Sequence, residues 1–338
     1  MRAVAFKTPL PVSDPASLID IELPRPEPTG RDILVEIRAI SVNPVDTKVR
    51  GGAIPLEGEH KVIGWDAAGI VVGAGPEATL FKAGDAVFYS GELLRPGSNA
   101  EFQLVDERLV GRKPASIGFA DAAALPLTGV TAWETLFDRL DVTHRRPAGA
   151  ANAILVIGGA GGVASLAIQL AKALTDLTVI ATASRPETRD WVLAQGADHV
   201  VDHSRPMAEQ VAALGLGAPA FVFSTTHTDT HLPEIAELIA PQGRLALIDD
   251  PETFDIVPLK TKAISVHWEL MFTRPLFRTA DMGEQGRILG EIADLVDAGR
   301  IRSTAAQNFG TINAANLRRA HELSESGRAM GKIVLEGF

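Results

Sequence analysis

The pattern of apolar and polar positions divides the chain into two textures. Up to about residue 120, short apolar or alternating stretches (MRAVAFK, ILVEIRAISV, VIGWDAAGIVVGAG, DAVFYSG and AEFQLVDERLV) are separated by proline and glycine turns. This punctuation predicts short strands in a compact antiparallel or barrel-like domain. Residues 119–140, FADAAALPLTGVTAWETLFDRL, change to an alanine-rich helical period interrupted by Pro126. Residues 153–174, AILVIGGAGGVASLAIQLAKAL, then supply five apolar residues, a glycine cluster and a helical repeat through Leu166, Ala167, Leu170, Ala171 and Leu174. That order predicts a buried parallel strand, a tight turn and a helix.

Strand and helix alternate from there. TVIATAS, HVVD, AFVFSTT, RLALID and KAISVHWEL read as strands, with PETRDWVLAQG, SRPMAEQVAALGLG and HLPEIAELIA as helices between the earlier ones. Such alternation predicts a doubly wound parallel sheet. Two helical stretches, GEQGRILGEIADLVDAGRI and NAANLRRAHELSESGR, precede a last strand, KIVLEGF. The length of 338 residues also favours two domains, because single cores rarely grow beyond about 250–300 residues.

In the glycine cluster, Gly159, Gly161 and Ala164 fit G-x-G-x-x-(G/A) between the predicted strand and helix. In that motif a missing Cβ lets the backbone approach a pyrophosphate at the positive end of a helix. Gly159, Ala160, Gly161, Gly162 and Val163 are therefore the expected cofactor cradle, with a plain strand-to-helix turn as the bland alternative. After the second strand, an NAD enzyme would show an acidic residue for the ribose hydroxyls. This chain shows Ala183, Ser184 and Arg185, with Arg189 a turn later. A hydroxyl followed by a guanidinium suits a 2′-phosphate, so NADPH is the expected cofactor.

Composition narrows the chemistry. A net charge of -10 makes nucleic acid and anionic membrane poor partners, and no stretch of about 18 uninterrupted apolar residues is present. The start, MRAVAFKTPL, lacks the apolar core of a signal peptide, so the expected location is cytoplasmic. The chain has no cysteine, which removes disulfides, thiolate catalysis and every zinc site built on cysteine. His199 and His203 are four apart, but Val200 and Val201 between them read as a strand end, and no metal site is expected.

The landmarks SVNPVDTKVRGG from Ser41, VIGWDAAGIVVGAG from Val62, FKAGDAVF from Phe81, LPLTGVTAWETL from Leu125, VIGGAGGVASLAIQLAK from Val156 and APQGRLALI from Ala240 together resemble the medium-chain dehydrogenase/reductase superfamily, in its quinone oxidoreductase branch. The ending GRAMGKIVLEGF resembles the subgroup labelled zinc-type alcohol dehydrogenase-like. The resemblance implies an α/β fold: a GroES-like β-barrel catalytic domain, residues 1–125 with 275–338, and a Rossmann dinucleotide-binding domain, residues 126–274. It also implies a homodimer paired through an edge strand such as KAISVHWEL. Asn43 stands where zinc-dependent relatives carry a cysteine ligand, and Trp65 where they carry a histidine. Zinc is therefore not expected. Reduction of a quinone or of the activated C=C bond of an α,β-unsaturated carbonyl then becomes the leading expectation, since a conjugated carbonyl delocalises the charge without a Lewis acid. A weakly catalytic NADPH-binding sensor or structural protein, and a carbonyl or alcohol oxidoreductase, stay open as alternatives.

By resemblance, Asn43 lies beside the nicotinamide and is the first candidate to donate to the substrate oxygen or the cofactor ribose; shaping the turn before Pro44 is its structural alternative. Lys48 occupies a position frequently held by tyrosine, and Trp65 is a candidate wall of the substrate cleft. Tyr89, the only tyrosine, is a candidate substrate contact. Thr128 and Thr131 match threonines at the nicotinamide end, with helix capping as the alternative. His203 is placed near the adenine, while Ser224, Thr225, Ile248 and Asp249 follow strands whose carboxyl ends bind ligands in open α/β sheets. Phe272 and Lys332 are expected to contribute from the C-terminal part.

Overall fold

The computed structural model describes residues 1–54 and 58–338, and it has an α/β architecture in two compact units. One unit comprises Met1–Val130 with Phe272–Phe338, and the other Thr131–Met271. The division falls inside helix Pro126–Trp133. Pro126, expected to interrupt a helix, instead opens this one after the short helix Phe119–Ala123 ends at Ala124. Proline is suited to a first turn, where its missing N–H has no intrahelical partner.

In the first unit, the long strand Asp32–Val42 organises a seven-stranded sheet. It pairs antiparallel with Ala67–Ala74, Phe102–Asp106 and Lys332–Glu336. The alternation in DILVEIRAISV buries one face, and two register shifts against Ala67–Ala74 bend the strand. Gly69 permits the close pairing, since a Cβ there would lie 2.2 Å from the Glu36 carbonyl oxygen. A second sheet joins Ile19–Glu22, Arg2–Phe6 and Lys61–Val62. The pairings Ile333↔Val42 and Ile40↔Ala67 matter most for function. They bring Asn43 and Asp66, each just beyond a strand end, and Lys332, the first residue of its strand, to one place.

The second unit carries a six-stranded sheet in the order His199–Val201, Thr178–Thr182, Ala151–Ile157, Pro219–Ser224, Arg244–Leu247, Ser265–Trp268. All five pairings are parallel. Ala153 to Ile157 are buried, as expected of a central strand covered on both faces. Helix Gly162–Leu174 follows it directly and buries Ala164, Leu166, Ala167, Leu170 and Ala171. Helix Pro186–Gln195 ends on Gly196 at φ 108°, a left-handed cap that a side chain would strain. This is the doubly wound sheet that the alternation predicted. Among the described residues no helix is long and apolar enough to cross a membrane.

Candidate functional site

The second unit carries a glycine turn at the carboxyl end of its central strand, the expected cofactor cradle. Gly158 turns the chain at φ 77°, and its N–H donates to Thr182 Oγ1 at 3.0 Å. A Cβ on Gly158 would meet Thr225 Oγ1 at 2.4 Å, and one on Gly159 would meet the Thr182 carbonyl at 2.9 Å. Only glycine fits this crossing. Gly161 caps helix Gly162–Leu174 without any side-chain hydrogen bond to the first turn, so the helix opens on backbone N–H groups alone. Ala160, Gly162 and Val163 are half-buried beside it. Bare N–H groups at the positive end of a helix, reached over residues lacking Cβ, fit the pyrophosphate of a dinucleotide.

The other predicted residues of this unit separate into two groups. Ser184 and Arg189 are exposed and Arg185 is half-buried after strand Thr178–Thr182, with Arg185 3.3 Å from Glu187. His203 lies beside that strand's end, its Nδ1 3.2 Å from Thr182 Oγ1. The remaining side chains serve the framework. Ser224, expected at the ligand, is fully buried and accepts from the Thr228 hydroxyl. Thr225 donates to the Ile157 carbonyl, and Asp249 accepts from the Thr228 N–H at 2.8 Å, holding the start of helix Thr228–Leu238. Ile248 is half-buried beside it, and Thr131 is buried, its carbonyl accepting from the Thr135 hydroxyl.

In the first unit Asn43, Asp66 and Lys332 form one network, and all are at most 4% exposed. Asn43 Nδ2 donates to Asp66 Oδ2 at 2.8 Å and to the Trp65 carbonyl at 3.3 Å. Lys332 Nζ donates to Asn43 Oδ1 at 2.5 Å and to the Val42 carbonyl at 2.7 Å, and lies 3.1 Å from Asp66 Oδ2. Asp66 Oδ1 accepts from the Leu127 N–H at 2.7 Å, tying the network to the start of helix Pro126–Trp133. Burial pushes the Asp66 carboxyl up and the Lys332 ammonium down, while their mutual attraction opposes both shifts.

Asp46 completes the cluster. Its Oδ2 accepts from the Asn43 N–H at 2.6 Å, while its buried Oδ1 has no hydrogen-bond partner among the described residues. Burial pushes this carboxyl up to about 7, against the opposing pull of the Asn43 N–H and of Lys332. A folded-state value above the unfolded one favours the native state most at low pH. The stability of the protein relative to an Asp46→Asn variant is therefore expected to fall as pH rises from about 4 to 7, and to level off above that. Urea unfolding of both proteins across that range checks the sign; a constant difference would contradict it.

This geometry gives several of the expected site residues partners within the protein. Asn43 turns its amide to protein partners, so it braces the site where donation to substrate was expected. Trp65, expected to wall a cleft, is fully buried, donates its indole N–H to the Glu92 carbonyl and packs edge-on to Phe272. Tyr89 is fully buried too, its hydroxyl donating to Gln103 Oε1 at 3.0 Å, and burial pushes that phenol up. The Thr128 hydroxyl, inside helix Pro126–Trp133, donates back to the Ala124 and Leu125 carbonyls and caps no helix start. Phe272 is buried, Lys332 is held by Asp66 where cofactor contact was expected, and Lys48 is exposed. The sequence reading passed over Asp46 and Asp66 as site residues, and over Thr182, His227 and His231. The spacing of His227 and His231, four apart like His199 and His203, was the available signal for the last two.

Comparison with known proteins agrees with the fold. Residues 29–131 match the alcohol dehydrogenase GroES-like domain and residues 195–335 the zinc-binding dehydrogenase family. A zinc-type alcohol dehydrogenase-like protein of Staphylococcus aureus is 39% identical over 336 residues, covering 99% of each chain. A 2-methylene-furan-3-one reductase of Solanum lycopersicum is 30% identical, over 90% of this chain and 71% of its own. The crystal structure of a Rhizobium etli protein described as a zinc-dependent alcohol dehydrogenase superposes with a TM-score of 0.98 at 64% identity, covering 100% of this chain and 98% of that one.

Among the described residues the zinc in these names finds no donor set. Cysteine is absent from the sequence, an indole N–H only donates, and Asn43 Oδ1 already accepts from an ammonium. Among the described residues no three His, Asp or Glu side chains converge as metal ligands. Lys332 supplies the positive charge beside Asp66.

Proposed function

The chain belongs to the medium-chain dehydrogenase/reductase superfamily, a family of oxidoreductases, and to its zinc-type alcohol dehydrogenase-like proteins; from that premise we propose that it is an NADPH-dependent, zinc-independent reductase of quinones or of the activated C=C bond of α,β-unsaturated carbonyls. The observation that carries this reading is the Asn43–Asp66–Lys332 network, whose donors and acceptors are an amide, a carboxylate and an ammonium, with no thiolate or imidazole among them to hold zinc. A bound reduced nicotinamide supplies a hydride. With an enone as acceptor, such a hydride would go to the β-carbon, the carbonyl oxygen would take up the electron pair, and a proton from water would complete the α-carbon.

The chain's own residues bind and orient. The N–H groups opening helix Gly162–Leu174 hold the pyrophosphate, and Ser184 with Arg185 holds the 2′-phosphate. The Asn43–Asp66–Lys332 brace fixes the end of strand Asp32–Val42, so that the backbone there keeps one geometry through the reaction. Strand Ser265–Trp268 closes one edge of the parallel sheet and leaves Trp268 54% exposed, which supports the expectation of a homodimer. A 2-methylene-furan-3-one carries a C=C bond conjugated to its carbonyl, so a relative named as the reductase of that compound supports this substrate class.

Arg185 gives the cofactor part of the reading its test. Arg185→Ala is expected to weaken NADPH binding about tenfold, the worth of one charge-assisted hydrogen bond at a half-exposed site, and to leave NADH binding within about twofold. Fluorescence titration with both nucleotides measures this. Equal losses for the two would remove the 2′-phosphate from Arg185.

A further inference from the structure

Three imidazoles gather beside the cradle. The rings of His203 and His231 meet edge to face with centroids 6.1 Å apart, and His203 reaches Thr182 Oγ1, the atom that accepts from Gly158 N–H. His227 sits at φ 50° before helix Thr228–Leu238, its Nδ1 2.7 Å from Thr226 Oγ1. His203 and His231 are half-buried, His227 is exposed, and the Arg185 guanidinium acts on His203 from the neighbouring loop. The carboxylates around them have donors of their own. Asp202 accepts from the Ser204 N–H and hydroxyl, Asp249 from Thr228, and Asp229 from the Thr230 N–H.

We propose that His203, His227 and His231, with Arg185, form a proton-linked site for the phosphate monoester that distinguishes NADPH from NADH. This rests on the NADPH reading above and adds to it a regulated selectivity. Desolvation holds His203 and His231 below the usual imidazole range, reinforced at His203 by His227 and Arg185 and at His231 by His203 and His227, while Asp202 pulls His203 and Asp229 and Asp249 pull His231 the other way. The contact between His203 Nδ1 and Thr182 Oγ1 serves both charge states: Nδ1 accepts there when a neutral ring carries its proton on Nε2, and donates there once the ring is protonated at both nitrogens. A doubly charged phosphate raises the proton affinity of every ring it faces, so it binds together with protons. NADH lacks that group and brings none.

Calorimetric titration of the wild-type protein with NADPH and with NADH tests this, in two buffers of different ionisation enthalpy, from pH 6.5 to 8. The phosphate, with a second pKa of about 6, is already a dianion at the upper end of that range. The expected result is net proton uptake with NADPH alone, and an NADPH Kd that rises several-fold per pH unit while the NADH Kd stays flat. His203→Gln, which keeps a partner for Thr182, is expected to reduce the uptake and flatten the slope. Tighter NADPH binding without proton uptake would overturn the linkage and leave the cofactor reading standing. Equal affinity for both nucleotides at every pH would overturn that reading and this site with it, and equal uptake with both would remove the phosphate from the histidines.

Discussion

Lys332→Met is expected to destabilise the protein by about 3–5 kcal/mol, because it strands the fully buried Asp66 carboxylate without its counter-charge. The Asn43 amide and the Leu127 N–H would still donate to Asp66, but two neutral donors do not replace an ammonium 3.1 Å away. Adding Asp66→Asn to that variant removes the stranded charge and is expected to recover at least half of the loss. Urea unfolding of the single and double variants at pH 7 reads the coupling directly. A loss below about 1 kcal/mol for Lys332→Met, or no recovery in the double variant, would mean that the pair is incidental to the fold.

The second large effect falls on binding. Gly161 lies at φ −70° and ψ 162°, open to any residue, and a Cβ there would meet only the Gly158 carbonyl oxygen at 3.4 Å. Gly161→Val therefore leaves the fold close to intact while filling the space over the helix start. Its expected result is a Kd for NADPH raised on the order of a hundredfold, roughly 2.7 kcal/mol, with a Tm within a few degrees of the parent. Gly159→Val serves as the contrast. Its Cβ would collide with the Thr182 carbonyl and Val192, so it loses stability as well as binding. Undiminished affinity in Gly161→Val would place the pyrophosphate elsewhere.

The two units differ in how far the sequence exposes them. The parallel sheet was legible because strands covered on both faces show as continuous apolar runs, and the glycine turn was legible because its steric demand is local. The Asn43–Asp66–Lys332 network was not. Its members lie far apart in sequence, and only the register of Ile333 against Val42 and of Ala67 against Ile40 brings them together. Register depends on pairing along whole strands, and no local motif encodes it. Tyr89 shows the opposite error. Its rarity drew attention, yet it ends strand Ala86–Tyr89 on the buried face, and its hydroxyl is spent on Gln103. His227 and His231 flank a helix start whose spacing was readable, but their approach to His203 requires the crossovers of the sheet.

The proposed metal-independent hydride transfer to an activated double bond is open to direct observation. The most direct measurement incubates metal-stripped protein with NADPH deuterated at the reactive nicotinamide carbon and an α,β-unsaturated ketone, and locates the label by NMR. Deuterium on the β-carbon of a saturated ketone is the predicted result; deuterium on the carbinol carbon of an allylic alcohol, or transfer only after zinc is restored, would contradict it.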